Sequence, residues 1–535
     1  MQGTDIRREI HHGRIVRCFA DRPANVDMLL QSAVNRRPEE MALRADDLSL
    51  SYRDLDNAVE QVARNLAARG LKKGGRIALL LGNLPEFLIV FLAAARLGAI
   101  VLPLNVRQRR PEILFMLEHS QAAILVYEDR MADELPGQDE LPGLRHRIVV
   151  GKVHDGAEPF DNLRTEAPPY ATVIVDEDDP VCILYTSGTT GTPKGATLTH
   201  FGVIHSAIHF ETGLGLHEGE IGALAVPASH VTGLIAILLA MLRVAGTSVL
   251  MKEFKAREFL RLVEEELVTY SLMVPAMYNL CLLAPEATER DLSSWRVGGF
   301  GGAPMPPATI SRLAELIPQL QLMNVYGATE TTSPATILPS SAIATHADSV
   351  GQSVACADIV VVDPDGREVP HGQMGELLIA GPMTIPYYWN NPEANATSFV
   401  GGYWRSGDIG SVDEDGFVRI HDRLKDVVNR GGYKIYSIEV EAVIARLPEV
   451  SEVAVVGYPD PVLGERVAAF VHCPAGAPPG EQIREHCARN LSDYKVPDTV
   501  MALDTPLPRN ANGKVLKNAL RDIVAEHGGH ARKGA

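Results

Sequence analysis

An α/β fold, α+β overall, with a large N-terminal region in several parts and a small C-terminal α+β domain, is predicted by three observations. Short apolar runs alternate with helical patterns from Ser51 past Leu320, the rhythm of parallel βαβ units. Beyond Asp422 that rhythm changes to strand, helix, strand, strand, helix through Asn490. The chain has 535 residues, of which 46% are hydrophobic and 22% charged, enough for roughly three or four structural units.

In chain order, Ser51 can cap a helix with Asp54 three positions on, and Leu55, Val59, Val62 and Leu66 recur at helical spacing until Gly70 ends it. The apolar run Ile77–Leu81 follows, then a helical stretch near Phe87–Leu97, then strand-like Ile100–Leu102, Ile124–Tyr127 and Ile148–Val150. The alternation resumes after residue 180, with a capped segment after Pro304 and an apolar run at Leu320–Val325. DEDG at Asp413–Gly416 is a turn between two short strands. A boundary near Asp422–Lys425 divides the chain into 1–422 and 423–535, the second part being a normal size for one small domain.

The formal net charge of −17 argues against a nucleic-acid binder, which needs a basic footprint to displace phosphate counterions. A polyanionic ligand must then be held locally, by backbone N–H groups, a few Lys or Arg side chains and a metal. The six cysteines (Cys18, Cys182, Cys281, Cys356, Cys473, Cys487) form no CxxC pair and read as reduced, mostly buried thiols. No signal-peptide core precedes His11–His12, a pair expected in a solvated tail, so a cytoplasmic protein is expected. Phe87–Ala95 and Leu234–Leu242 are too short to span a bilayer; they read as core helices, with no transmembrane segment.

Tyr185–Gly195 reads YTSGTTGTPKG and follows the strand-like Val181–Leu184. Gly188 and Gly191 allow close backbone approach, Thr186, Ser187, Thr189 and Thr190 supply hydroxyls, and Lys194 supplies charge, so the loop can wrap a polyphosphate. It is not a Walker loop, because Lys194 is preceded by proline and followed by glycine. With this loop the sequence resembles the adenylate-forming superfamily of acyl- and aryl-CoA synthetases, nonribosomal adenylation domains and firefly-type luciferases, over roughly Ser51–Leu520.

Further motifs stand in that family's order. NVYGATETT at Asn324–Thr332 resembles its adenine and magnesium motif. The resemblance implies Tyr326 against adenine beside Gly327, Thr329 on the α-phosphate, and Glu330 holding Mg²⁺ with Thr186. GGAP at Gly301–Pro304 matches the pocket wall and adenine side, through Gly302, Ala303 and Pro304, and His230 matches a position beside the acyl pocket. YWRSGD at Tyr403–Asp408 resembles the ribose site, where Asp408 accepts from the diol and Arg423 also touches the sugar. Arg423–Glu441 resembles the start of a mobile C-terminal domain, with Lys425 at the hinge, Asn429 beside it, and Gly431 and Gly432 along the pantetheine path of coenzyme A. PRNANGK at Pro508–Lys514 resembles the segment carrying the catalytic lysine, Lys514.

The resemblance implies a carboxylic acid–CoA ligase using ATP, Mg²⁺ and coenzyme A through an acyl-adenylate, with a fatty acid of medium or long chain as substrate. An aryl acid of the benzoate or cinnamate type is the alternative, and a luciferase-like oxidoreductase a more distant one. An α-amino substrate is disfavoured, because Val231–Leu242 carries no carboxylate to pair with an amine. Small Ala228 and Ser229 before His230, and Tyr387 where the family commonly has glycine, are the main departures. A homodimer is compatible with this reading; no carrier-protein domain is expected after Lys514.

Overall fold

The computed structural model describes residues 5–46, 48–186, 193–474, 476–510 and 513–530. The chain packs into two compact units, one of residues 1–359, 378–405 and 416–418, the other of residues 360–377, 406–415 and 419–535.

The first unit is built on two sheets. In one, Arg76–Leu80, Ile100–Pro103, Ile124–Glu128 and His146–Val150 run parallel, as their short apolar runs predict. Pro180–Thr186 joins them parallel to Ile100–Pro103, and Lys194–Thr199 returns antiparallel beside it with Lys194 opposite Thr186. In the other, Met41–Ala45, Thr247–Leu250, Ile221–Leu224, Tyr270–Met273, Val297–Phe300 and Gln321–Tyr326 are neighbours in that order, all parallel. Antiparallel Thr336–Leu338 then pairs with Gln321–Tyr326.

Helix Tyr52–Ala68 begins at a Ser51–Asp54 capping box and buries Leu55, Val59, Val62 and Leu66, the face its periodicity marks. Helix Pro85–Arg96 is buried almost throughout. The apolar run after His230 is a π-helix, Thr232–Leu239, continued by α-helix Ala240–Arg243. Among the described residues no helix is long and apolar enough to cross a membrane.

The N-terminus departs from expectation. Ile6–His11 and Arg14–Phe19 form an antiparallel hairpin, and His11, expected in a solvated tail, is buried. Its ring bonds Asp178 at 2.7 Å and Glu9 at 3.1 Å and stacks on Phe201, partners that no local pattern reveals.

The second unit carries a sheet in which Glu452–Asp460 and Gly464–His472 pair antiparallel, and Thr499–Leu503 runs parallel to the latter. A small hairpin, Val428–Arg430 with Tyr433–Ile435, joins its edge. Helices Ser437–Ile444 and Gly480–Asn490 fall where the rhythm places them, and Lys517–His530 follows. All six cysteines are free, and all but Cys473 are buried.

Candidate active site

In the first unit the candidate motifs follow the carboxyl ends of strands, the edge at which α/β sheets present ligand-binding loops. The phosphate loop leaves Pro180–Thr186, GGAP leaves Val297–Phe300, and YGATE leaves Gln321–Tyr326. Ser187, Gly188, Thr189 and Thr190 lie outside the described residues, but both ends of their loop are in place.

Thr186 Oγ1 donates to Glu330 Oε1 at 3.2 Å, so the structure brings together the two residues expected to share a metal. Tyr388 Oη donates to the same oxygen at 3.0 Å, and Trp404 Nε1 donates to Tyr388 Oη at 3.2 Å. Lys194 Nζ lies over the Tyr388 ring, 5.2 Å from its centroid, in a cation–π contact. The Glu330 carbonyl accepts from the Ile385 N–H at 2.9 Å. Among the described residues both hydroxyls converge on Oε1, leaving Oε2 open, and a carboxylate beside a hydroxyl is an oxygen donor set suited to Mg²⁺.

Thr329 and Glu330 lie in a short 3-10 turn, Thr329–Thr331, one residue beyond Gly327, and Tyr326 ends the strand half-buried. Gly302, Ala303 and Pro304 are exposed. Gly301 is dictated by packing, since a Cβ there would stand 2.3 Å from the Val325 carbonyl oxygen of the neighbouring strand.

His230 Nδ1 lies 3.1 Å from Thr232 Oγ1, and burial holds the imidazole pKa below its ordinary value, favouring the neutral ring. The segment leading to it is held by Asn83, which the sequence reading missed. Asn83 Nδ2 donates to the carbonyls of Leu224, Val226 and Met251, and its Oδ1 accepts from the Ala228 N–H at 2.8 Å. No pattern within the sequence marks a lone asparagine as the tie for a chain segment 145 residues away.

In the second unit Asp408 is buried and accepts from Arg423 Nε at 2.6 Å, while Arg423 also donates to the Ser406 carbonyl. Lys514 lies near this pair. Its side chain is exposed by surface area, yet protein atoms crowd the ammonium. That desolvation, with the nearby charges of Arg423 and Lys425, brings its pKa down to about 8 against the opposing pull of Asp408 and Asp426. The Lys514 N–H donates to Asn510 Oδ1 at 2.9 Å. Asp408, Arg423, Lys425 and Lys514 are therefore gathered electrostatically.

Lys425 is held by its carbonyl, which accepts from Arg521 at 3.4 Å, while Arg521 also bonds Asp426 at 2.7 Å. Asn429, Gly431 and Gly432 belong to the small hairpin instead. Its two-residue turn places Gly431 at φ 59° and Gly432 at φ 91°, both positive as a type I′ connection requires.

The family described as AMP-binding enzyme matches residues 30–389, and its C-terminal domain matches residues 439–514. The long-chain-fatty-acid–CoA ligase of Mycobacterium tuberculosis is 35% identical over 500 residues, covering 92% of this chain and 97% of that protein. A feruloyl-CoA synthase from Amycolatopsis is 34% identical over 487 residues, covering 90% and 96%. The o-succinylbenzoate CoA synthetase of Bacillus subtilis, solved with its acyl-adenylate intermediate, superposes with a TM-score of 0.84 at 29% identity, covering 94% of this chain and 98% of that one. By motif order, fold and similarity along nearly its whole length, the chain belongs to the AMP-binding enzyme family, the adenylate-forming superfamily that includes the acyl-CoA ligases.

Proposed function

We propose that this AMP-forming acid–CoA ligase activates a medium- or long-chain fatty acid with Mg²⁺-ATP and transfers the acyl group to coenzyme A. A carboxylate and a triphosphate repel each other, so the chain must first offset charge. Mg²⁺, when bound, supplies part of that offset; Glu330 and Thr186 would hold it. Lys194 and the Gly/Thr loop from Ser187 to Thr190 are assigned to offset charge on the phosphates, and Thr329 to the α-phosphate. Tyr326 lies against adenine beside Gly327 and the Gly302–Pro304 segment. Asp408, held by Arg423, accepts from the ribose hydroxyls.

The acid's oxygen attacks the α-phosphorus as the bond to the bridging oxygen of pyrophosphate breaks. The Lys514 ammonium stabilises the charge that develops there. The resulting anhydride is then attacked at its carbonyl by the coenzyme A thiol, which loses its proton as AMP departs. In this step residues 423–535 pivot at Lys425, and Asn429, Gly431 and Gly432 flank the pantetheine arm. His230 stands beside the acyl group.

The observation that carries the adenylating step is the convergence of Thr186 and Glu330, 144 residues apart in sequence. The aliphatic preference is supported by the wall that follows His230: Gly233–Leu239 is a buried, wholly apolar stretch of π-helix, offering no side-chain partner to a ring hydroxyl. The similarity to a feruloyl-CoA synthase favours an aryl acid as the second reading. A cytoplasmic location is supported by the six unpaired cysteines.

Thioester formation measured over aliphatic acids of increasing length and over benzoates and cinnamates tests both. The aliphatic reading expects the higher kcat/KM for a fatty acid. A higher value for an aryl acid replaces it with the second, and absence of AMP formation with every acid overturns the ligase assignment.

A further inference from the structure

We propose that Tyr388 is a positioning residue for metal-nucleotide binding. Its phenol orients the Glu330 carboxylate and its ring seats Lys194, an inference that rests on the reading of Glu330 as the magnesium-holding group. Tyr388 is buried, with 3% of its surface exposed, and a buried hydroxyl needs partners. It has two. The Trp404 indole N–H occupies a lone pair of the phenol at 3.2 Å, which turns the O–H toward Glu330 Oε1 at 3.0 Å. With Thr186 on the same oxygen, rotation of the carboxylate is restrained and Oε2 is presented to a cation.

The ring is anchored to the strand that leaves the phosphate loop. Ala196 and Tyr388 form an isolated antiparallel bridge, and the Trp389 N–H donates to the Gly195 carbonyl at 2.7 Å. Asn395 then locks the Tyr388 main chain from both sides, accepting from its N–H at 2.7 Å and donating to its carbonyl at 3.0 Å. One tyrosine thus ties together Lys194, Glu330 and Trp404, three elements far apart in sequence. A tyrosine serving the core alone would have no reason to point its only proton at a carboxylate, which is the partner-and-orientation pattern by which outer groups tune metal ligands.

The test is binding of α,β-methylene-ATP to the full-length protein, titrated with MgCl₂ and read by calorimetry, with thermal midpoints recorded alongside. In Tyr388→Phe the Mg²⁺ concentration for half-maximal analogue binding should rise on the order of tenfold, with metal-free analogue affinity unchanged within about twofold. In a Glu330→Gln background the same substitution should add nothing, because the interaction is shared. If Glu330→Gln shifts the metal dependence and Tyr388→Phe does not, the Tyr388 role falls alone. If Glu330→Gln leaves it untouched, the reading of Glu330 falls and takes Tyr388 with it. Should Tyr388→Phe fail to fold, Trp404→Phe, which releases the phenol's orientation, should give a smaller shift of about threefold, again absent from the Glu330→Gln background; no shift overturns the proposal.

Discussion

Lys514 is the residue whose environment most constrains the chemistry. With its pKa brought down to about 8 by desolvation and by Arg423 and Lys425, it is charged below that pH and neutral above it. If the ammonium assists adenylation, kcat/KM for AMP formation falls as pH rises through about 8. The limb for kcat lies higher, since bound phosphates favour the cation. For folding the sign is opposite: an unfolded lysine stays protonated up to its ordinary value of 10.5, so the unfolded chain binds more protons between the two values and this group's contribution to stability rises with pH there. Lys514→Ala should lower adenylate formation on the order of a hundredfold or more while sparing thioester synthesis from supplied acyl-AMP. Lys514→Arg should move the alkaline limb upward because arginine stays charged. Equal loss of both half-reactions in the alanine variant would remove the role assigned to the lysine. Asp408 and Arg423 are legible in the sequence by motif, but their 2.6 Å ion pair and its closeness to Lys514 are not, because neither spacing nor residue type reports a distance.

Among the elements, the strands were the easiest to read. Apolar runs such as Ile77–Leu81 and Ile124–Tyr127 became neighbouring parallel strands because burial on both faces demands unbroken apolar sequence. The π-helix after His230 was legible only as an apolar helix, since its wider turn is a backbone choice that hydrophobic periodicity does not encode. The end of Val297–Phe300 carries a sharper expectation. Gly301 abuts the next strand, so Gly301→Ala must displace backbone at Val325, at a cost of about 1–3 kcal/mol in urea unfolding. Because Tyr326 is the next residue, AMP affinity should fall in parallel. Unchanged AMP affinity in a folded Gly301→Ala variant would detach that strand approach from nucleotide binding.

For the molecule as a whole, two chemical steps must be coordinated, and helix Lys517–His530 touches the proposed pivot through Arg521, which bonds both the Lys425 carbonyl and Asp426. Arg521→Ala should therefore change the ratio of the two half-reaction rates by a few fold, while the preference among acid substrates stays constant; stopped-flow measurement of each half-reaction separately reads this. A proportional change in both rates would make Arg521 a stabilising residue only. The sequence by itself determined the α/β class, the capped helix after Ser51, many of the buried parallel strands and the family motifs, because periodicity, caps and turn chemistry are local properties of the chain. Only the tertiary structure decided that His11 is buried against Asp178, that Asn83 ties down the approach to His230, and that Tyr388 reaches Glu330. Those pairings join residues 167, 145 and 58 positions apart, and they exist because side-chain packing and the need to satisfy buried polar groups select them over long range.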